Sequence, residues 1–219
     1  QACATIMANQ RALSHNPPQN WACHTQEGAT AAGESNIHLS YGTGSIEGSV
    51  VGFFRDGGDN NRADVGHRRW LQSPTLGSVG YGFHYSATTN AAGSCYNVIS
   101  GPATGPHPIP FVGYPGPGPF PLEWVTSRFW ALPWSVSIHA PYGAPFPDTQ
   151  AWQVKVWRLD ANGMTSLPVA YVNASSMWFG RTAAVVFTPD FEVTPGQYQI
   201  EIQGGEYRFE WQTELVRCQ

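Results

Sequence analysis

Residues 101–121 read GPATGPHPIPFVGYPGPGPFP, and thirteen of these twenty-one positions are proline or glycine. Proline fixes φ and carries no backbone donor, so such a run forms neither a helix nor a central strand. It reads as a linker or extended strut, semi-rigid where its prolines are dense. Its aromatics, Phe111, Tyr114 and Phe120, suit a segment lying against a surface. The run divides the chain into residues 1–100, the 101–121 linker and residues 122–219.

The first part carries helical signals with short strands. Cys3, Ile6, Met7 and Leu13 share a face of a helix over 2–14, which Pro17-Pro18 stop. Ala29–Ile37 is alanine-rich and predicts a second helix. Ser45 can cap a third, with Ile46, Val50 and Phe53 on one face. A short helix around His67–Leu71 ends before Pro74. Val79–Tyr85 and Cys95–Ile99 read as strands around the turn-rich Thr88–Ser94. The last part is β throughout. Trp134–Ile138 alternates, Trp152, Val154 and Val156 share a face, and Asp160–Gly163 signals a hairpin. Ala183–Phe187, Tyr198–Ile202 and Tyr207–Trp211 follow. Six or seven such strands predict an all-β, sandwich-like domain over 122–219.

Charge narrows the partners. The formal net charge is −4 and charged residues are only 12%. That gives no basic field to hold nucleic acid or an anionic membrane. No run approaches the roughly 20 apolar residues of a membrane helix. The low charge and the cysteines fit a secreted, extracellular protein. The chain opens inside a helix at Gln1 with no leader, as a mature or trimmed product would. Cys3, Cys23, Cys95 and Cys218 contain no Cys-x-x-Cys pair, which argues against a zinc knuckle. Three connectivities are open to them. Proximity favours Cys3–Cys23, leaving Cys95–Cys218 to tie the chain end to the first part; four buried free thiols are the alternative.

Four polar residues of the first part each follow or end an element: His15, Glu34, Asp56 and His67. Loop and element ends are where side chains converge on a cleft. Two imidazoles and two carboxylates suit a borderline divalent ion such as zinc, with His15 and His67 as the metal ligands. They equally suit acid–base work. The plainer readings are that His15 caps helix carbonyls and that Asp56 satisfies backbone donors. Arg68 and Arg69 could bind an anionic ligand; the plainer reading pairs one with Asp64 or Asp59 and leaves the other solvated. Asp56, Asp59 and Asn61 lack the spacing of a calcium loop. Asn173-Ala174-Ser175 is a glycosylation sequon.

The order Leu-Ser-His-x-Pro-Pro (13–18), Ala-Ala-Gly-Glu-Ser-Asn-Ile (31–37), Phe-x-x-Asp (53–56), Val-Gly-His-Arg-Arg-Trp-Leu (65–71) and Val-Gly-Tyr-Gly (79–82) resembles the bacterial branch of the CAP superfamily. That superfamily groups cysteine-rich secretory proteins, antigen 5 and pathogenesis-related 1 proteins. The resemblance spans about residues 2–100, with Gly66-His67-Arg68-Arg69-Trp70 its most specific part. It implies an α+β fold, a CAP-like α-β-α sandwich followed by the all-β domain, and a further helix before residue 1. It implies a cleft in which His15 and His67 match the two histidines and Glu34 one acid, with Ser35 the alternative occupant of that place. Asp56 stands where the family has a longer glutamate. The implied function is binding: a divalent metal or small ligand in the cleft, with the β-domain attaching to a surface, protein or assembly. A metal-assisted hydrolase and a purely structural building block are the other readings. No Gly-x-Ser-x-Gly or His-Glu-x-x-His supports catalysis.

Overall fold

The structure, a computed structural model, describes residues 1–58, 61–99, 110–128, 131–139, 146–176 and 179–218, with Tyr171 described in its backbone only. The chain forms two compact units, one of residues 1–54 with 75–106 and one of residues 55–74 with 107–219.

In the first unit, α1 (Ala2–Gln10) buries Cys3, Ala4, Ile6, Met7 and Ala8. It stops where Arg11 enters the left-handed region at φ 54°. Thr25 caps α2 (Gln26–Gly33) by accepting the Gly28 N–H. Three strands form one antiparallel sheet, β1 (Ser35–Tyr41), β2 (Gly80–Ser86) and β3 (Ala91–Asn97), in the order β1-β3-β2. Gly93 lets α1 lie directly on the central strand, because a Cβ there would stand 2.4 Å from the Ala4 carbonyl oxygen. Cys3 and Cys95 are bridged across the same contact, with Cα atoms 6.2 Å apart. Helix α3 (Ile46–Arg55), whose first turn Ser45 caps through the Gly48 N–H, runs to the unit boundary.

The second unit holds two sheets. Strands β4 (Phe111–Tyr114), β6 (Trp134–Ile138), β9 (Val169–Ser175) and β10 (Ala183–Pro189) are ordered β4-β6-β10-β9. Strands β5 (Gly118–Pro121), β7 (Trp152–Asp160), β8 (Gly163–Leu167), β11 (Gly196–Gly204) and β12 (Tyr207–Val216) are ordered β5-β12-β11-β7-β8. The sheets meet through rings. Trp134 lies 5.9 Å from Tyr198, and Phe111 lies 5.0 Å from Phe209. Strand β6 is buried on both faces. Trp134 and Val136 take the side facing the second sheet. Ser135 and Ser137 register with Val186 and Ala184 on the other side, where Val65 packs on both aliphatic residues. The covering layer on that side is the 55–74 segment with α4 (Gly66–Leu71).

Several expectations are corrected. The chain is 42% strand and 22% helix, in three sheets, so a CAP-like α-β-α sandwich followed by an all-β domain is not its fold class. The helices are too short and few, from four to ten residues each. The predicted helix over Ala29–Ile37 ends at Gly33, and its β-branched and polar end, Ser35–Ile37, enters β1. The compact units divide at 54/55, 74/75 and 106/107, so 55–74 groups with the β-rich part. Within 101–121 only 110–121 is described. It supplies β4 and β5, each at a sheet edge where proline's missing donor is tolerated. The bridge Cys3–Cys95 replaces the expected Cys3–Cys23 and Cys95–Cys218 pairs, and Cys23 and Cys218 are exposed thiols. Sequence proximity misled here, because Cys3 on α1 faces Cys95 on the central strand, while Cys23 lies exposed.

Candidate functional site

The site is built around Asp56, which follows α3 in the left-handed conformation at φ 47°. That conformation costs about 1–2 kcal/mol for a residue with a Cβ. It turns the carboxylate under the start of α4, where Asp56 is 2% exposed. Oδ2 accepts the Arg68 backbone N–H at 3.1 Å, satisfying a helix donor that Val65 at the N-cap cannot. Oδ1 accepts from His67 Nδ1 at 2.8 Å. A carboxylate only accepts, so the imidazole proton sits on Nδ1 and Nε2 is the basic nitrogen. The His67 side chain keeps 23% of its surface exposed.

The neighbouring arginines are not at the surface. Both are fully buried. Arg68 Nη1 donates to Ser135 Oγ, and Nη2 donates to the Arg55 and Pro133 carbonyls, each at 2.9 Å. Its guanidinium lies 3.7 Å from the centre of the Tyr114 ring. Arg69 donates to Ser175 Oγ, Thr182 Oγ1 and the Asp64 and Thr182 carbonyls. Asp64 in turn accepts from Ser175 Oγ at 2.6 Å. Burial lowers the pKa of both arginines, that of Arg69 to about 10, opposed at Arg68 by Tyr114 and Asp56 and at Arg69 by Asp64 and Asp56. Burial also pushes the Tyr114 hydroxyl up to about 12 although Arg68 pulls it down. The expected solvated arginine is therefore absent. The signal for it lay in Trp134-Ser135-Val136-Ser137-Ile138, whose serine face serves a buried cation and not solvent.

His15 and Glu34 belong to the first unit and Asp56 and His67 to the second. The structure joins the second pair directly. His15 is exposed, and its Nδ1 donates to the Ala32 carbonyl at 2.9 Å. It thus caps the end of α2. Glu34 follows that helix and accepts from Asn97 Nδ2 at 3.0 Å. Ser35 is buried. His38 packs edge-on against Phe53 at 5.9 Å. Among the described residues no three or more His, Cys, Asp or Glu side chains are grouped so as to hold a metal ion. The calcium reading involved Asp59, which lies outside the described residues.

The sequon falls within β9. The Asn173 amide donates to the Ala63 carbonyl at 2.8 Å and Ser175 is 3% exposed, so the folded chain withholds this acceptor. No described helix is long and apolar enough to cross a membrane. No protein-family model, curated protein or solved structure matches the chain.

Proposed function

We propose that the chain is an extracellular binding protein whose ligand is anchored by His67, with Asp56 as the group that orients it. The observation that carries this reading is the 2.8 Å contact from buried Asp56 to a partly exposed imidazole. A carboxylate accepting from Nδ1 fixes the tautomer and the orientation of the ring. The ligand is then met through Nε2. The Cys3–Cys95 bridge fits an oxidising compartment. A borderline divalent cation, zinc first, matches an imidazole so supported, with its remaining positions filled by water or a second ligand.

The same pair is the orienting half of a general-base device, which favours hydrolysis as the second reading. Calorimetric titration with zinc separates the outcomes. The native chain is expected to bind at least about tenfold tighter than His67→Gln and Asp56→Asn chains. Equal binding by all three would sink the metal reading. Esterase or peptidase turnover that disappears in His67→Gln would establish the hydrolase instead.

A further inference from the structure

The second unit carries an open cleft of about 900 Å³. Its floor is apolar, formed by Leu122, Val125, Leu132, Pro189, Phe191 and Val193. Three guanidinium groups, Arg55, Arg128 and Arg217, line it together with Glu123 and Glu192. Neither Asp56 nor His67 is among its lining residues.

The charges at this cleft are unevenly committed. Arg55 donates to the Glu123 carbonyl, through Nε at 3.2 Å and through Nη2. The Glu123 carboxylate accepts the Cys218 backbone N–H at 3.4 Å. Among the described residues Arg128 and Arg217 enter no ion pair; those formed by arginine or lysine use Lys155 and Arg208. Both Arg128 and Arg217 are exposed. Two guanidiniums that form no ion pair among the described residues thus line an apolar cleft beside Glu123, whose carboxylate takes the Cys218 N–H, and exposed Glu192. Elsewhere the chain is net acidic. The volume falls in the usual range of small-molecule sites, roughly 300–1,000 Å³. Guanidinium forks match carboxylates bidentately, and the floor matches a hydrocarbon body.

We infer that this cleft binds small amphipathic carboxylates, head group on Arg128 and Arg217 and apolar body on Leu122, Val125, Leu132 and Phe191. The inference is independent of the His67 reading.

The test uses the full chain and the fluorescent anion 8-anilinonaphthalene-1-sulfonate, displaced by decanoate or by 1-decanol. Decanoate is expected to displace the probe at concentrations about tenfold below those 1-decanol needs. Arg128→Glu/Arg217→Glu, which changes only exposed side chains, should weaken decanoate about tenfold with its thermal transition retained. Two results overturn the inference: decanoate and decanol competing equally, or decanoate binding unchanged in the double variant. An Arg128→Lys/Arg217→Lys chain should retain part of the affinity, since charge survives and the fork does not. Full loss in that chain together with a lowered transition would also overturn it.

Discussion

At the residue scale, buried charge decides more than any apolar contact. Arg68 donates to three acceptors, Ser135 Oγ and the Arg55 and Pro133 carbonyls. Removing the guanidinium takes a buried donor from each and opens a cavity over Tyr114. Arg68→Ala is expected to lose about 3–5 kcal/mol in urea unfolding. Arg68→Met, which keeps the volume, should lose less than alanine, and equal losses would show that the hydrogen bonds carry the whole effect. Tyr114 makes a second test. Its hydroxyl donates to the Trp124 carbonyl at 2.7 Å and is pushed up to about 12. The folded state thus binds the proton more tightly than the unfolded chain. The tyrosine's contribution is complete below pH 10 and is lost as pH rises towards 12. Arg69, lowered to about 10, acts with the opposite sign, since its charged form is the one disfavoured by the fold. Comparison with Tyr114→Phe removes that background. The stability gap between the two chains should be about 1–3 kcal/mol at pH 8 and should narrow between pH 10 and 12. A constant gap would contradict the assignment.

At the element scale, the Cys3–Cys95 bridge staples α1 to the central strand of its sheet over a separation of 92 residues. Closing a loop of that size contributes on the order of 4 kcal/mol. A native chain should therefore titrate as two free thiols, those of Cys23 and Cys218, and rise to four only after reduction in denaturant. Cys3→Ser/Cys95→Ser should lower the thermal transition of the first unit markedly; an unchanged transition would mean that α1 holds by packing alone. Strand content was legible in the sequence where alternation is local. Trp134–Ile138 coincides with β6, and the turn at Asp160–Gly163 joins β7 to β8. The failures share one cause, long-range partnering. Alanine richness in 29–37 could not show that β3 would recruit residues 35–41 as a strand. Proline richness in 110–121 concealed two edge strands that need only part of their donors. The Asp56–His67 pair was legible as two residue types at suggestive places. Its geometry was not, because it depends on the left-handed turn at Asp56.

At the scale of the whole molecule, the second unit is discontinuous, since 55–74 reaches it from within the segment bounded by the first unit's two pieces. Synthesis imposes an order on such a chain. Arg68 and Arg69 leave the ribosome well before the strands that satisfy them; the Thr182 partner comes over a hundred residues later, just ahead of β10. At ordinary translation speeds that interval is on the order of ten seconds. Throughout it the 55–74 segment, with its four arginines and three aspartates, lacks the strands that later cover it. The arginines that anchor the finished unit thus also keep its earliest piece hydrated while it waits. The first piece of the second unit to be made thus meets its Thr182 partner only late in synthesis.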